Sequence, residues 1–205
     1  MKETSTLSVN QLIDEGIKNS RSYSDYRTLV NDLISEGKST AKEQTEDLLN
    51  YSTLNNRRMK RLDKTIKIDE TIASGIKAKK LDVTWLVLSE GWCGDAAQSL
   101  PVINKVAEIN EGIDLRIVLR DENDALMSHF LTNGGKAIPK LIAIDNSNRE
   151  IIGTWGPRPS TATKMVNDYK EKHGGLDAQF KEDLQVWYNK DKGENIVNDL
   201  SGLLA

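Results

Sequence analysis

Cys93 is the only cysteine in this 205-residue chain, and it stands where the hydrophobic pattern changes. Asp82-Val83-Thr84-Trp85-Leu86-Val87-Leu88 is a short, near-continuous apolar run, the pattern of a strand buried on both faces. From Ala96 to Ile109, Leu100, Ile103, Val106 and Ala107 instead recur at helical spacing. The cysteine is therefore expected at the point where a buried strand gives way to a helix. Free backbone N–H groups and the helix dipole favour a thiolate there, and the thiolate is the nucleophilic form. The alternative reading is a small buried hydrophobe, the usual role of an unpaired cysteine.

A lone thiolate can attack a disulfide, but an external thiol must resolve the mixed disulfide that forms. It can also react with peroxide to give a sulfenic acid, which again needs an outside reductant. With no second cysteine, an intramolecular dithiol–disulfide cycle is chemically excluded for one chain. Other chemistry finds little support. His129 and His173 are too few and too far from Cys93 in sequence to suggest a metal site, and no cofactor is called for. Asn133-Gly134-Gly135-Lys136 lacks the spacing of a phosphate-binding loop and reads as a helix stop.

Composition narrows the setting. The chain has 28 Lys plus Arg against 31 Asp plus Glu, a net charge of −3, which argues against a nucleic-acid coat protein. Hydrophobic residues make up 38%, enough for one modest core, and no apolar run approaches the roughly 18–20 residues that span a bilayer. Met1-Lys2-Glu3-Thr4-Ser5-Thr6-Leu7 has no apolar stretch of the secretory type. No nucleic acid, no membrane and a reducing cytoplasm are the expectation.

The elements that would position Cys93 can be read on either side of it. Ser8-Val9-Asn10-Gln11 has capping-box form and precedes Leu12, Ile13, Gly16 and Ile17 on one helical face. A second helix is expected from Ser24-Asp25, with Tyr26, Leu29, Val30, Leu33 and Ile34 as its stripe and Gly37 as its stop. A third is expected from Thr40-Ala41-Lys42-Glu43 to about Leu62, lined by Leu48, Tyr51, Leu54 and Leu62. Its Arg57, Arg58, Lys60 and Arg61 read as a solvated face, with an anion or nucleic-acid patch as the alternative. Beyond Cys93, strands are expected at Leu115–Leu119, Lys140–Ile144 and Glu150–Trp155, with a short helix over Glu122–Leu131. Helices over Thr161–Lys172, Leu176–Lys190 and Glu194–Leu204 would close the chain. Strand, helix, strand, helix and hairpin indicate an α/β sheet with helices on its faces.

Trp92-Cys93-Gly94-Asp95-Ala96 resembles the Trp-Cys-Gly-X-Cys active site of the thioredoxin superfamily. Ile138-Pro139 resembles its cis-proline dipeptide, and Gly156 the glycine that ends the last strand beside the site. The likeness covers roughly Thr71 to Lys172. The longer Trp-Cys-Gly-Asp-Ala-Ala-Gln run is similar to a bacterial thioredoxin-like subfamily of poorly defined function. The resemblance implies a thioredoxin-like fold over 69–172, a helical N-terminal extension (1–68) packed on the core, and a helical C-terminal extension (173–205). It departs from the family pattern at two positions. Ala96 stands where dithiol members carry the resolving cysteine, and Val87 replaces their buried acid.

The resemblance implies monothiol exchange through Cys93, with a thiol or disulfide substrate such as glutathione or a client protein; a redox-inert interaction module is the alternative. Trp92 would offer substrate a flat apolar surface, or pack the loop. Asp95 would raise the thiol pKa or deliver a proton, unless it serves only the helix N-terminus. With Gly94 beside the thiol, Pro139 in cis would leave the Ile138 backbone free for an extended substrate. In Trp155-Gly156-Pro157-Arg158-Pro159, Trp155 and Gly156 would border the substrate, and Arg158 would reach the site and hold a carboxylate, or lie exposed on a loop. Arg120-Asp121 would end a strand on the same edge.

Overall fold

The structure is a computed structural model that describes residues 7–204. The leaderless reading of Met1–Leu7 therefore falls, but for Leu7, outside the described residues. Four helices come first: α1 (Val9–Lys18), α2 (Tyr23–Ser35), α3 (Glu46–Thr65) and α4 (Glu70–Lys77). The core follows as β1 (Val83–Ser89), α5 (Gly94–Ala107), β2 (Ile113–Leu119), α6 (Asp124–Met127), β3 (Lys140–Asp145) and β4 (Ile151–Trp155). Then come α7 (Ser160–His173), α8 (Ala178–Asp191) and α9 (Glu194–Leu203). No described helix is long and apolar enough to cross a membrane.

The sheet order is β2-β1-β3-β4, with β1 parallel to β2 and antiparallel to β3, and β3 antiparallel to β4. This is a thioredoxin-like arrangement of a mixed sheet flanked by helices. Strand β1 is central and buried along its whole length, which explains its unbroken apolar run. Helices α1, α2, α3 and α9 share the main core, to which Ile13, Tyr26, Met59, Ile196 and Leu200 belong, whereas α8 packs on α7 in a second, smaller cluster of Ala162, Val166, Phe180, Leu184 and Tyr188. Gly16 lets α1 approach closely, since a Cβ there would lie 3.2 Å from both Leu86 and Leu126. The link between α1 and α2 also covers the open edge of β2, where Arg21 and Ile117 exchange two backbone hydrogen bonds of 2.9 Å.

Two boundaries differ from the sequence expectation. Helix α3 begins at Glu46, capped by Thr45, whose hydroxyl accepts from the Leu48 N–H. Thr40 starts no helix because its hydroxyl is committed elsewhere, donating to Glu90 and accepting from the Gly91 N–H. The face that α3 buries also differs. Ser52, Asn55, Met59 and Leu62 point inward, while Tyr51 and Leu54 are exposed. Asn55 tolerates burial because its amide donates to the Gly91 carbonyl and accepts from Arg58. Helix α4, capped by Asp69, has no counterpart among the sequence expectations, and the helix expected over Glu122–Leu131 shrinks to a 3-10 turn and α6.

The C-terminal end is tied down by one carboxylate. Asp199 on α9 accepts from the Trp155 indole (3.1 Å) and from the backbone N–H and hydroxyl of Ser160 (2.8 Å each). It thereby joins the end of β4 to the first turn of α7. Asp199→Ala is expected to lower folding stability by about 2 kcal/mol, read as a lower denaturant midpoint at unchanged m.

Candidate active site

Cys93 is the N-cap of α5. Its Sγ accepts from the Ala96 N–H (3.5 Å), while the thiol donates to the Ile138 carbonyl (3.3 Å). The strand-to-helix junction thus faces the proline loop, as the resemblance implied, and the Ile138–Pro139 peptide is cis. Gly156 closes against the same loop with φ +106°, and a Cβ there would fall 2.1 Å from the Pro139 carbonyl oxygen. Only glycine fits both that conformation and that approach.

The expectation of an open, ionised thiol is not met. Cys93 is 9% exposed, and burial pushes its thiol up to about 12. The Asp95 carboxylate adds to the rise; the Ala96 and Asp95 backbone N–H groups and Arg158 oppose it without prevailing. Desolvation of the charged form outweighs the helix terminus here. Asp95 is itself pushed above the ordinary carboxylate range by burial, against the Arg158 guanidinium at 2.6 Å and the Tyr188 hydroxyl, which donates to it at 3.1 Å.

Helices α3 and α8 stand over this floor and enclose a cleft of about 630 Å³. Trp92, Cys93, Gly94, Asp95 and Arg158 all line it, so five of the sequence-predicted residues converge. Arg158 is accordingly not a free loop cation. Trp92 lies partly buried under the Arg120 guanidinium, 4.9 Å from the ring centroid, and Arg120 is paired with Asp121. Ile138 and Pro139 are buried behind the thiol, so the Ile138 carbonyl already has a partner in Cys93. Trp155 departs from the expectation: its indole is turned to Asp199 and does not line the cleft.

Several participants were not legible beforehand. Arg58, read as part of a solvated face, turns into the cleft, where burial lowers its pKa from the usual guanidinium value. Tyr188 reaches Asp95 from α8, and Gln98 donates to Gln185 (2.9 Å), so α8 is bound across the site. Glu90 is fully buried three residues before Cys93, although Val87 leaves the family's acidic position empty. Its carboxylate accepts from Thr40 and from the Asp121 N–H (3.0 Å), and burial pushes it up to about 7. The available signal was an acid one residue beyond a near-continuous apolar run.

Two solved structures share this architecture. An HIV epitope scaffold superposes with a TM-score of 0.63 at 14% identity, covering 93% of this chain and 96% of its own. A protein of unknown function from Pseudomonas aeruginosa gives 0.60 at 14% identity, with 93% and 95% covered. At that identity the likeness concerns fold alone. Among curated proteins, no sequence matches. A family profile described as thioredoxin matches residues 41–170, well over half of the chain. It spans the cysteine junction, the cis-proline loop and the four-stranded sheet, and the chain belongs to the thioredoxin family.

Proposed function

We propose that this protein performs thiol–disulfide exchange as a monothiol, with Cys93 as nucleophile and an external thiol, of glutathione type or from a client protein, as resolving partner. The observation that carries the reading is the place of Sγ: at the first turn of α5, against the proline loop, in the floor of an open cleft. In the first step Cys93 forms a bond to one sulfur of a disulfide, and the other sulfur leaves as a thiol carrying the cysteine's proton. A second thiol then attacks the bound sulfur, returning Cys93 to its thiol form and leaving a new disulfide. The protein ends unchanged in oxidation state. A lone unpaired cysteine suits a reducing compartment such as the cytoplasm.

The test is adduct formation. Folded protein incubated with glutathione disulfide should gain one glutathione, on Cys93, and lose it when excess thiol is added. Cys93→Ser should gain none. A redox-inert interaction module is the second reading, favoured by the burial of Cys93 and its upward-shifted thiol. An adduct that forms only after denaturation selects that module.

A further inference from the structure

The cleft over Cys93 has features that thiol exchange does not require. Its walls are largely apolar: Tyr51 and Leu54 of α3 are 58% and 52% exposed on one side, and Leu176 and Leu184 lie among the remaining lining residues. Its volume of about 630 Å³ lies within the roughly 300–1,000 Å³ of small-molecule sites. Of the exposed large apolar side chains among the described residues, only Tyr51 and Leu54 belong to it, too small a patch for a stable protein interface, which needs about 800 Å² per partner.

Charge singles out one group. Arg158 is paired with Asp95 at 2.6 Å, and Lys181 on α8 is exposed, its charge solvated at the rim. Arg58 has no carboxylate within ion-pair distance among the described residues; its guanidinium donates to the Asn55 side-chain oxygen at 2.7 Å. A half-buried cation in no ion pair, with the Asp95 carboxylate acting on it only from beyond contact and already held by Arg158, complements, next to an apolar wall, an anion attached to an apolar body.

We propose that the cleft is a binding site for a small amphipathic carboxylate, its alkyl or aryl body between Tyr51, Leu54, Leu176 and Leu184 and its carboxylate on Arg58. Binding of this ligand does not depend on reaction at Cys93, so it stands or falls apart from thiol exchange. The test is an NMR titration with octanoate, following the Trp92 indole N–H and the Gly94 amide. Saturable shifts confined to the cleft are expected. 1-Octanol, which keeps the chain and lacks the charge, should bind roughly 10-fold or more weakly, and Arg58→Gln should lose octanoate affinity by a similar factor. Leu54→Asn, at an exposed position, should also weaken it, while Arg57→Gln on the outer face of α3 should not. The proposal is overturned if shifts are absent or spread over the surface, if octanol binds as well as octanoate, or if Arg58→Gln has no effect. Light scattering that shows a second copy of the chain filling the cleft would overturn it equally.

Discussion

Cys93 is expected to react with iodoacetamide about 100-fold more slowly than free cysteine at pH 7, and Asp95→Asn to recover about 10-fold of that deficit. With the thiol pushed up to about 12, the thiolate at pH 7 is about one part in 10⁵, against roughly 3% for an unperturbed cysteine. The greater nucleophilicity of a more basic thiolate offsets part of this deficit, leaving about 100-fold. Asp95 is the second cause of the rise, after burial. Its substitution removes a like charge in the same helical turn and leaves Arg158 unpaired beside the sulfur, two changes that both favour the thiolate. Arg158→Ala should move the rate the other way. The check is alkylation rate against pH for the three proteins, with the thiol pKa read from each profile. A wild-type profile centred near 8.5, or one that Asp95→Asn leaves in place, would refute the account.

Glu90→Gln should flatten the pH dependence of folding stability. The Glu90 carboxyl titrates near 7 when folded and near 4.5 otherwise, because burial outweighs the hydrogen bonds from Thr40 and the Asp121 N–H. The folded chain therefore holds this proton more tightly than the unfolded chain. The associated stability is fully present below about 4.5, declines as pH rises, and is lost above about 7, a loss of about 3 kcal/mol. Denaturant unfolding near pH 5 and near pH 8 measures the slope. Asp95 contributes a decline of the same sign from its own burial, so the difference between wild type and variant isolates Glu90. An equal slope in the two proteins would refute the assignment.

What could be read from the residues in order was whatever local pattern decides. The buried strand around Trp85, the Ser8 capping box, the stop at Gly37 and the Cys93 junction are each set by neighbours within a few positions, through period, cap and turn chemistry. The α/β class followed from their order, and the missing second cysteine fixed the stoichiometry of any thiol chemistry. Tertiary structure decided the environment of the sulfur. Local reasoning placed Cys93 at a positive helix end and expected an anion there. The folded chain adds the Ile138 carbonyl from 45 residues away, the Asp95–Arg158–Tyr188 cluster and the overhang of α3 and α8. Desolvation depends on everything that surrounds a group, and most of what surrounds Cys93 is distant in sequence. The same reason hid Arg58 and Glu90. A helix whose apolar residues permit two faces does not declare which one the core will take, and an acid after a strand does not declare whether Thr40 will come to meet it.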